Sequence, residues 1–228
     1  MPSTLVHVAL AGLVGTALLS DHFDSKSVLV VMGAVAFIDF DVFVGLVFPG
    51  THRAAFHTLL LPLAVGALLA YDLRVRERSR SWIRARWGDR GVRIAWVSVF
   101  AVTVAGIGPD LFFNGANLFY PLHDRFYELS GHLIYSDQRG FVQTFVDVSF
   151  EFLTEESAER TGEAAQSSGE TVRTTENTHY KTGVDPSRDE GPEDVERVFY
   201  IVTSGERLLV ALTGYAVVGL RLWEERRD

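Results

Sequence analysis

Cysteine is missing from all 228 residues. Its absence excludes disulfides, thiolate metal ligands and a Cys nucleophile. Any metal site must therefore be built from His and carboxylates. Lysine is nearly missing too: Lys26 and Lys181 stand against 19 Arg. No Gly-x-Ser-x-Gly elbow, His-Glu-x-x-His helix or phosphate-cradling Gly loop is present, so the common hydrolase and nucleotide signatures do not apply. The chain does have a sharp division. Segments 1–72, 92–113 and 198–223 are strongly apolar, while 73–91 and 151–197 are strongly polar, a contrast hidden in a mean hydropathy of +0.14. Segment 151–197 holds 13 acidic and 5 basic residues, which is the whole net charge of −8. An acidic polar part with almost no Lys and no Cys points to a salt-loving microbe of haloarchaeal type, since net charge reports on solubility; the alternative is a GC-rich genome, which also favours Arg.

Five stretches read as membrane spans: 5–20, 28–48, 54–71, 92–113 and 198–222. A hydrocarbon core of about 30 Å needs roughly 20 helical residues at 1.5 Å each. The first stretch is short and interrupted by Gly12 and Gly15. No Lys or Arg precedes it, so it is expected to be a span and not a secretory signal. The fifth carries Glu206 and Arg207 ahead of its apolar run 208–220. The fold class expected is all-α, a polytopic membrane bundle of about five spans with an external, partly disordered acidic insertion. Residues 1–113 form a four-span core and 114–150 an external interfacial cap with Phe119, Tyr120, Phe126, Tyr127 and Tyr135. Residues 151–197, rich in Glu, Thr, Ser and Gly, bury too little to offset their ordering entropy and are expected to be largely disordered. Residues 198–228 supply the fifth span and a tail. Arg74, Arg76, Arg78, Arg80, Arg84, Arg86, Arg90 and Arg93 lie between spans three and four, and Arg221, Arg226 and Arg227 in the tail. The positive-inside rule makes both regions cytoplasmic. With five spans the N-terminus is then outside, in a multi-pass protein of the cell membrane.

Ionisable residues gather on the outer side of this topology. Asp39 and Asp41 lie inside span two, where a carboxylate costs roughly 2.5–3.5 kcal/mol. On a regular helix they point about 200° apart, so only a local break lets both face one site. Without a site, one of them would pair with Arg53 or a His. His52 and His57 enter span three, His7 lies near the outer end of span one and Asp110 at the outer end of span four. A single interfacial His is weak evidence of a site. The group is stronger, because the Arg placement that set the topology is independent of it. Imidazole and carboxylate suit zinc, manganese or iron. Six candidate ligands exceed one closed zinc site and admit a two-metal centre of the kind that cleaves phosphoesters.

At these residues the chain resembles the YdjM-like family, described as LexA-binding, inner-membrane-associated, metal-dependent hydrolases. The resemblance runs over about residues 1–130 and rests on several elements. These are the early His7, the Asp39-x-Asp41 pair, His52-Arg53 followed by His57, Asp110-Leu111-Phe112, and the Tyr120-Pro121 segment that continues into His123. It implies an all-α fold related to zinc-dependent phospholipase C and single-strand nucleases, with a metal cluster acting on phosphoesters. Two positions depart from the family pattern. Ile38 replaces a Pro before the first Asp, and Gly106 replaces a His four residues before Asp110. Either His123 or His132 is then the candidate substitute ligand, or one metal of the cluster is missing.

Together these features are read as a hydrolase with a divalent metal, zinc or manganese, held by His7, Asp39, Asp41, His52, His57 and Asp110. Asp41 is expected to bridge or to act as general base. Arg53 is expected to face the charge developing on the substrate, the alternative being a snorkelling anchor. His22 and His179 are not expected to join. The expected partners are membrane lipids and a small-molecule or lipid phosphoester reached from outside. An acidic outer surface disfavours nucleic acid. Two rivals use the same residues: an ion or proton transporter, and a scaffold in which metal only staples the helices.

Overall fold

The computed structural model describes residues 3–76, 81–113, 115–129, 131, 133–138, 140–143, 172–184 and 197–227. The helices are α1 (Thr4–Leu18), α2 (Ser25–Ile38), α3 (Asp41–Gly45), α4 (Leu60–Ala70), α5 (Trp82–Ala101), α6 (Gly108–Phe113) and α7 (Gly205–Glu225). Side-chain caps start three of them. Asp24 accepts from Ser27 N, Ser81 from Arg84 N and Ser204 from Arg207 N, each satisfying an amide that has no intrahelical partner. α4 runs on through wide π-type turns at Tyr71–Val75, and α5 joins α6 through similar turns at Val102–Ile107. Asp72 closes the α4 end onto the start of α5. It accepts from Trp82 N at 2.9 Å, Ile83 N at 3.2 Å and Ser81 Oγ at 2.9 Å, and the Trp82 amide leads in holding its carboxyl below the usual range.

α1 is the central element, packed against α7, α2 and the Val102–Ile107 turns. Val28, Val31, Val35 and Ile38 of α2 meet Ala11, Val97, Ala101 and Ala105 in one buried cluster. The outer face is apolar as well: Leu29, Leu63, Leu68, Leu209 and Leu212 are each at least 60% exposed. A bundle with oily residues both inside and outside is made for lipid, since a water-facing helix would carry a polar outer stripe.

Three sequence expectations change. Span three was drawn from residue 54, yet residues 51–59 form turns and the helix starts at Leu60. A small antiparallel hairpin pairs Leu133–Ser136 with Gly140–Gln143, Tyr135 facing Phe141, so the fold is mostly and not wholly helical. By length and composition two segments can cross a bilayer, Ser25–Gly45 and Trp82–Phe113, whereas α1 is apolar but has only 15 residues. Length and composition together thus support two of the five expected crossings, α7 having the length, 21 residues, without the composition.

The chain direction alternates so that α1, α4 and α7 begin, and α3 and α6 end, at one end of the bundle. Arginines collect at the other. There Arg90 bonds Asp24 and Ser27, Arg93 reaches Leu18 O, and Arg221 stacks on Phe23.

Candidate functional site

The helix break needed to bring both aspartates together is present. α2 stops at Ile38, Phe40 N bonds back to Phe37 O, and α3 restarts at Asp41. The following turn, 49–59, folds back beneath it. Gly50 has φ +85° and Arg53 φ +63°, a left-handed conformation that is strained for a bulky residue. Arg53 is held there from every side. Its amide donates to Asp41 Oδ2 at 2.8 Å, its carbonyl accepts from Asn117 N at 2.9 Å, and its guanidinium donates to Asp110 Oδ1 at 2.7 Å.

His7, Asp39, Asp41, His52, Arg53, His57 and Asp110 meet in one cluster, and His7, Asp41, Arg53, His57 and Asp110 are buried. Asp41 is its organiser. Oδ1 lies 2.9 Å from His52 Nδ1, and Oδ2 lies 2.7 Å from His57 Nδ1. An ionised carboxylate only accepts, so each Nδ1 carries its proton and each Nε2 offers a lone pair. His57 Nε2 then faces Asp110 Oδ2 at 3.0 Å and Asp39 Oδ1 at 3.4 Å, while His7 Nε2 lies 3.5 Å from Asp110 Oδ1. These approaches are close but poorly directed: His57 Nε2, Asp39 Oδ2 and His7 Nδ1 are buried without a hydrogen-bond partner.

A lone pair facing two carboxylates requires positive charge between them. Either a second proton on His57 or a metal ion supplies it. In a tetrahedron with bonds of about 2.1 Å the ligand atoms stand roughly 3.4 Å apart, and His57 Nε2 stands 3.4 Å from Asp39 Oδ1 and 3.0 Å from Asp110 Oδ2. As the side chains stand, no three described His, Asp or Glu residues close on one point as a ready cage. The donor types, His and carboxylate, are nevertheless those that suit a divalent ion, and three of their buried atoms lack a partner. The carboxylate-backed His52 and His57 match the way metal-binding imidazoles are usually oriented.

A cavity of about 180 Å³ opens beside the cluster, with Asp39, His52, Arg53, His57 and Asp110 on one wall. Its other wall was not legible in the sequence. Lys181–Val184 and Val198–Tyr200 form it, within and beside the stretch read as disordered. Residues 172–184 are instead packed down. Asp124 accepts from Thr175 N and from Thr175 Oγ1 at 2.6 Å; Tyr180, 9% exposed, lies over the Arg53 guanidinium at 4.9 Å and against the His52 ring. Burial pushes the Tyr180 phenol above its usual range. Residues 151–171 and 185–196 lie outside the described residues. An aromatic followed by one of the two lysines, inside a Glu- and Thr-rich stretch, was the only available signal.

Other expectations are also resolved. His123 is exposed, packs near the Tyr127 ring and stands apart from the cluster, so it does not replace a missing ligand. His132 lies outside the described residues. Gly106 explains itself: a Cβ there would come 2.3 Å from Ile38 Cδ1 and 3.6 Å from Val35 Cγ1. Ile38 and Gly106, the two positions that depart from the resemblance, thus lie against each other, and the Ile38 side chain fills the space a Cβ at 106 would need.

No curated protein and no solved structure gives a significant match to the chain. A family match covers residues 1–168, all seven cluster residues included, and stops short of the strap at 172–184 and of α7. It is to the family described as YdjM inner membrane protein, and the chain belongs to that family.

Proposed function

We propose that the protein is a membrane-embedded, metal-dependent hydrolase of phosphoesters. The single observation that carries this reading is the electron-rich vertex of His57 Nε2, Asp39 and Asp110, with donors 3.0 and 3.4 Å apart and no proton-bearing partner aligned. His7, Asp39, His52, His57 and Asp110 would hold the ion, His52 from the cavity wall. A divalent ion there would polarise a phosphoryl oxygen as a Lewis acid and lower the pKa of a water molecule. Asp41 is a positioning residue, because both of its oxygens are engaged and it does not line the cavity. The base role passes to Asp39, which lines the cavity and whose Oδ2 has no partner. The attacking water would give its proton to Asp39 as its oxygen bonds to phosphorus, and the departing alcohol would take that proton as its P–O bond breaks. Arg53 is committed to Asp110 and buried, so it fixes Asp110 and leaves the substrate to other groups.

Purified protein is expected to contain at least about one equivalent of zinc or manganese and to release phosphate or head group from short-chain phosphoesters. His57→Ala should lower metal affinity by more than the about 10–100-fold typical of losing an outer partner. Protein with no metal and no turnover, in which His57 titrates as a buried cation, would instead establish the proton-relay reading.

The same proposal places the cluster outside and the arginine end in the cytoplasm. A Cys introduced at Glu176 should react with an impermeant thiol reagent on intact cells, and one at Glu225 should not. Both positions are exposed, and the absence of native Cys leaves no background. The reverse labelling would turn the site toward the cytoplasm.

A further inference from the structure

The strap over the cavity lies beyond the stretch that matches the family, yet it is built into the site. Phe126 N donates to Arg173 O at 2.8 Å, Arg173 Nη2 donates to the Tyr180 hydroxyl at 2.6 Å, and Tyr180 donates to Gly115 O at 3.3 Å. Its second limb is tied to the chain entering α7. Arg197 donates to Gly183 O at 3.1 Å and to Val184 O at 3.2 Å, and the Phe199 ring covers Gly183 so closely that a Cβ there would lie 2.6 Å from it. Ser3 Oγ bonds Ile201 O, joining this roof to the start of α1.

Charge shows what the roof adds. Asp39, Asp41 and Asp110 carry three negative charges. Arg53 and a divalent ion, bound as proposed, would supply three positive ones, leaving the floor of the cavity without excess charge of either sign. Among the described residues Lys181 is the only other Lys or Arg lining the cavity, and it would make the sum positive. Below it the wall turns apolar through Val42, Val184 and Val198, and the rim carries Phe199 and Tyr200, 67% and 54% exposed. Such aromatics suit the level of lipid head groups.

We infer that Lys181 is the anion-anchoring residue of the cavity and that its ligand is an amphiphile with a phosphoryl head group, the head under the strap and the chain leaving over Phe199 and Tyr200. This rests on the hydrolase reading for the neutral floor, but it concerns binding and can be tested without turnover.

The probes are inorganic phosphate, dihexanoyl phosphatidic acid and dihexanoylglycerol, titrated by calorimetry into the metal-loaded full-length protein in a non-ionic detergent below its own solubilising effect on the probes. The phosphatidic acid is expected to bind, the uncharged glycerolipid not to bind, and inorganic phosphate to bind more weakly than the lipid because it cannot use the rim. Lys181→Gln should weaken the lipid about 10-fold or more, the loss expected of one charge-assisted contact, and Lys181→Arg should restore most of it. Equal affinity in Lys181→Gln, with Lys181→Arg also unchanged, overturns the proposal, as does equal binding of the uncharged lipid. Inorganic phosphate binding as tightly as the lipid would keep the anion site and overturn the amphiphile. Lys181-dependent binding in a protein that hydrolyses nothing would retain the anchor and sink the hydrolase reading, so the two failures are distinguishable.

Discussion

Asp41→Asn is expected to weaken metal binding by about 10–100-fold, the range for an outer partner that orients a metal-bound imidazole, with the fold intact. The reason lies in proton counts. Asp41 Oδ2 accepts from both Arg53 N and His57 Nδ1, while Oδ1 accepts only from His52 Nδ1. An asparagine has one accepting oxygen and one donating NH2. Placing the oxygen at Oδ2 keeps two donors satisfied, so the NH2 falls opposite His52. That ring must then swap its proton to Nε2, removing its lone pair from the cavity, while His57 stays correctly oriented. A wrong imidazole tautomer disables a site whose geometry is otherwise unchanged. Asp41→Ala should be worse, leaving two buried donors, Arg53 N and His57 Nδ1, unpaired at about 1–3 kcal/mol each and the half-buried His52 Nδ1 unpaired as well. Nitrogen-15 NMR of labelled His, alongside metal titration, reads both effects. If Asp41→Asn abolishes turnover while metal affinity and the His52 tautomer stay as in the parent, Asp41 is a base after all and the positioning role is wrong.

The cluster was legible because its residue types are costly where they sit. A pair of aspartates within an apolar run needs a reason, and the same arithmetic that separates Asp39 from Asp41 on a helix demanded the break that occurs between Ile38 and Asp41. The roles were less legible. Sequence spacing cannot say that Asp41 turns both oxygens to histidines and an amide, nor that Arg53 spends its guanidinium on Asp110. Those facts depend on the turn 49–59, whose residues look like the apolar start of a span. The strap was invisible for a different reason. Average composition over 151–197 is that of an unfolded segment, and averaging hides Tyr180, which needs only Arg53, His52 and Phe126 as neighbours to be buried. The Ile38–Gly106 contact was likewise out of reach, since the two positions read as separate anomalies until they share one space.

Replacing Gly214 by Leu is expected to detach α7 from α1 and unfold the site end of the bundle, the largest stability loss of any glycine facing a helix crossing. Between helices in lipid there is little hydrophobic drive to associate, so close backbone approach and van der Waals contact must hold them. Here the approach is extreme. A Cβ on Gly214 would stand 2.6 Å from the Ala9 carbonyl oxygen and 2.9 Å from its carbon, and one on Gly12 would stand 2.7 Å from Val218 Cγ2. At Gly214 the obstacle is backbone, which cannot rotate away, so the helices must separate. Overpacking typically costs about 1–3 kcal/mol, and a backbone clash belongs at or above the upper end. α1 carries His7 into the cluster, and Tyr215 donates to Leu5 O at 2.9 Å just beside the crossing. Loss of the crossing should therefore reach the metal site as well as the fold. Gly219, five residues along the same helix, has nothing within 4 Å of its would-be Cβ, and Gly219→Leu is the matched control. Thermal unfolding in detergent, followed by tryptophan fluorescence, should show a lower midpoint for Gly214→Leu and none for Gly219→Leu, with metal content falling only in the first. Equal midpoints for the two variants would mean that α7 does not seat against Ala9, and the packing of α1 at the centre of the bundle would have to be redrawn.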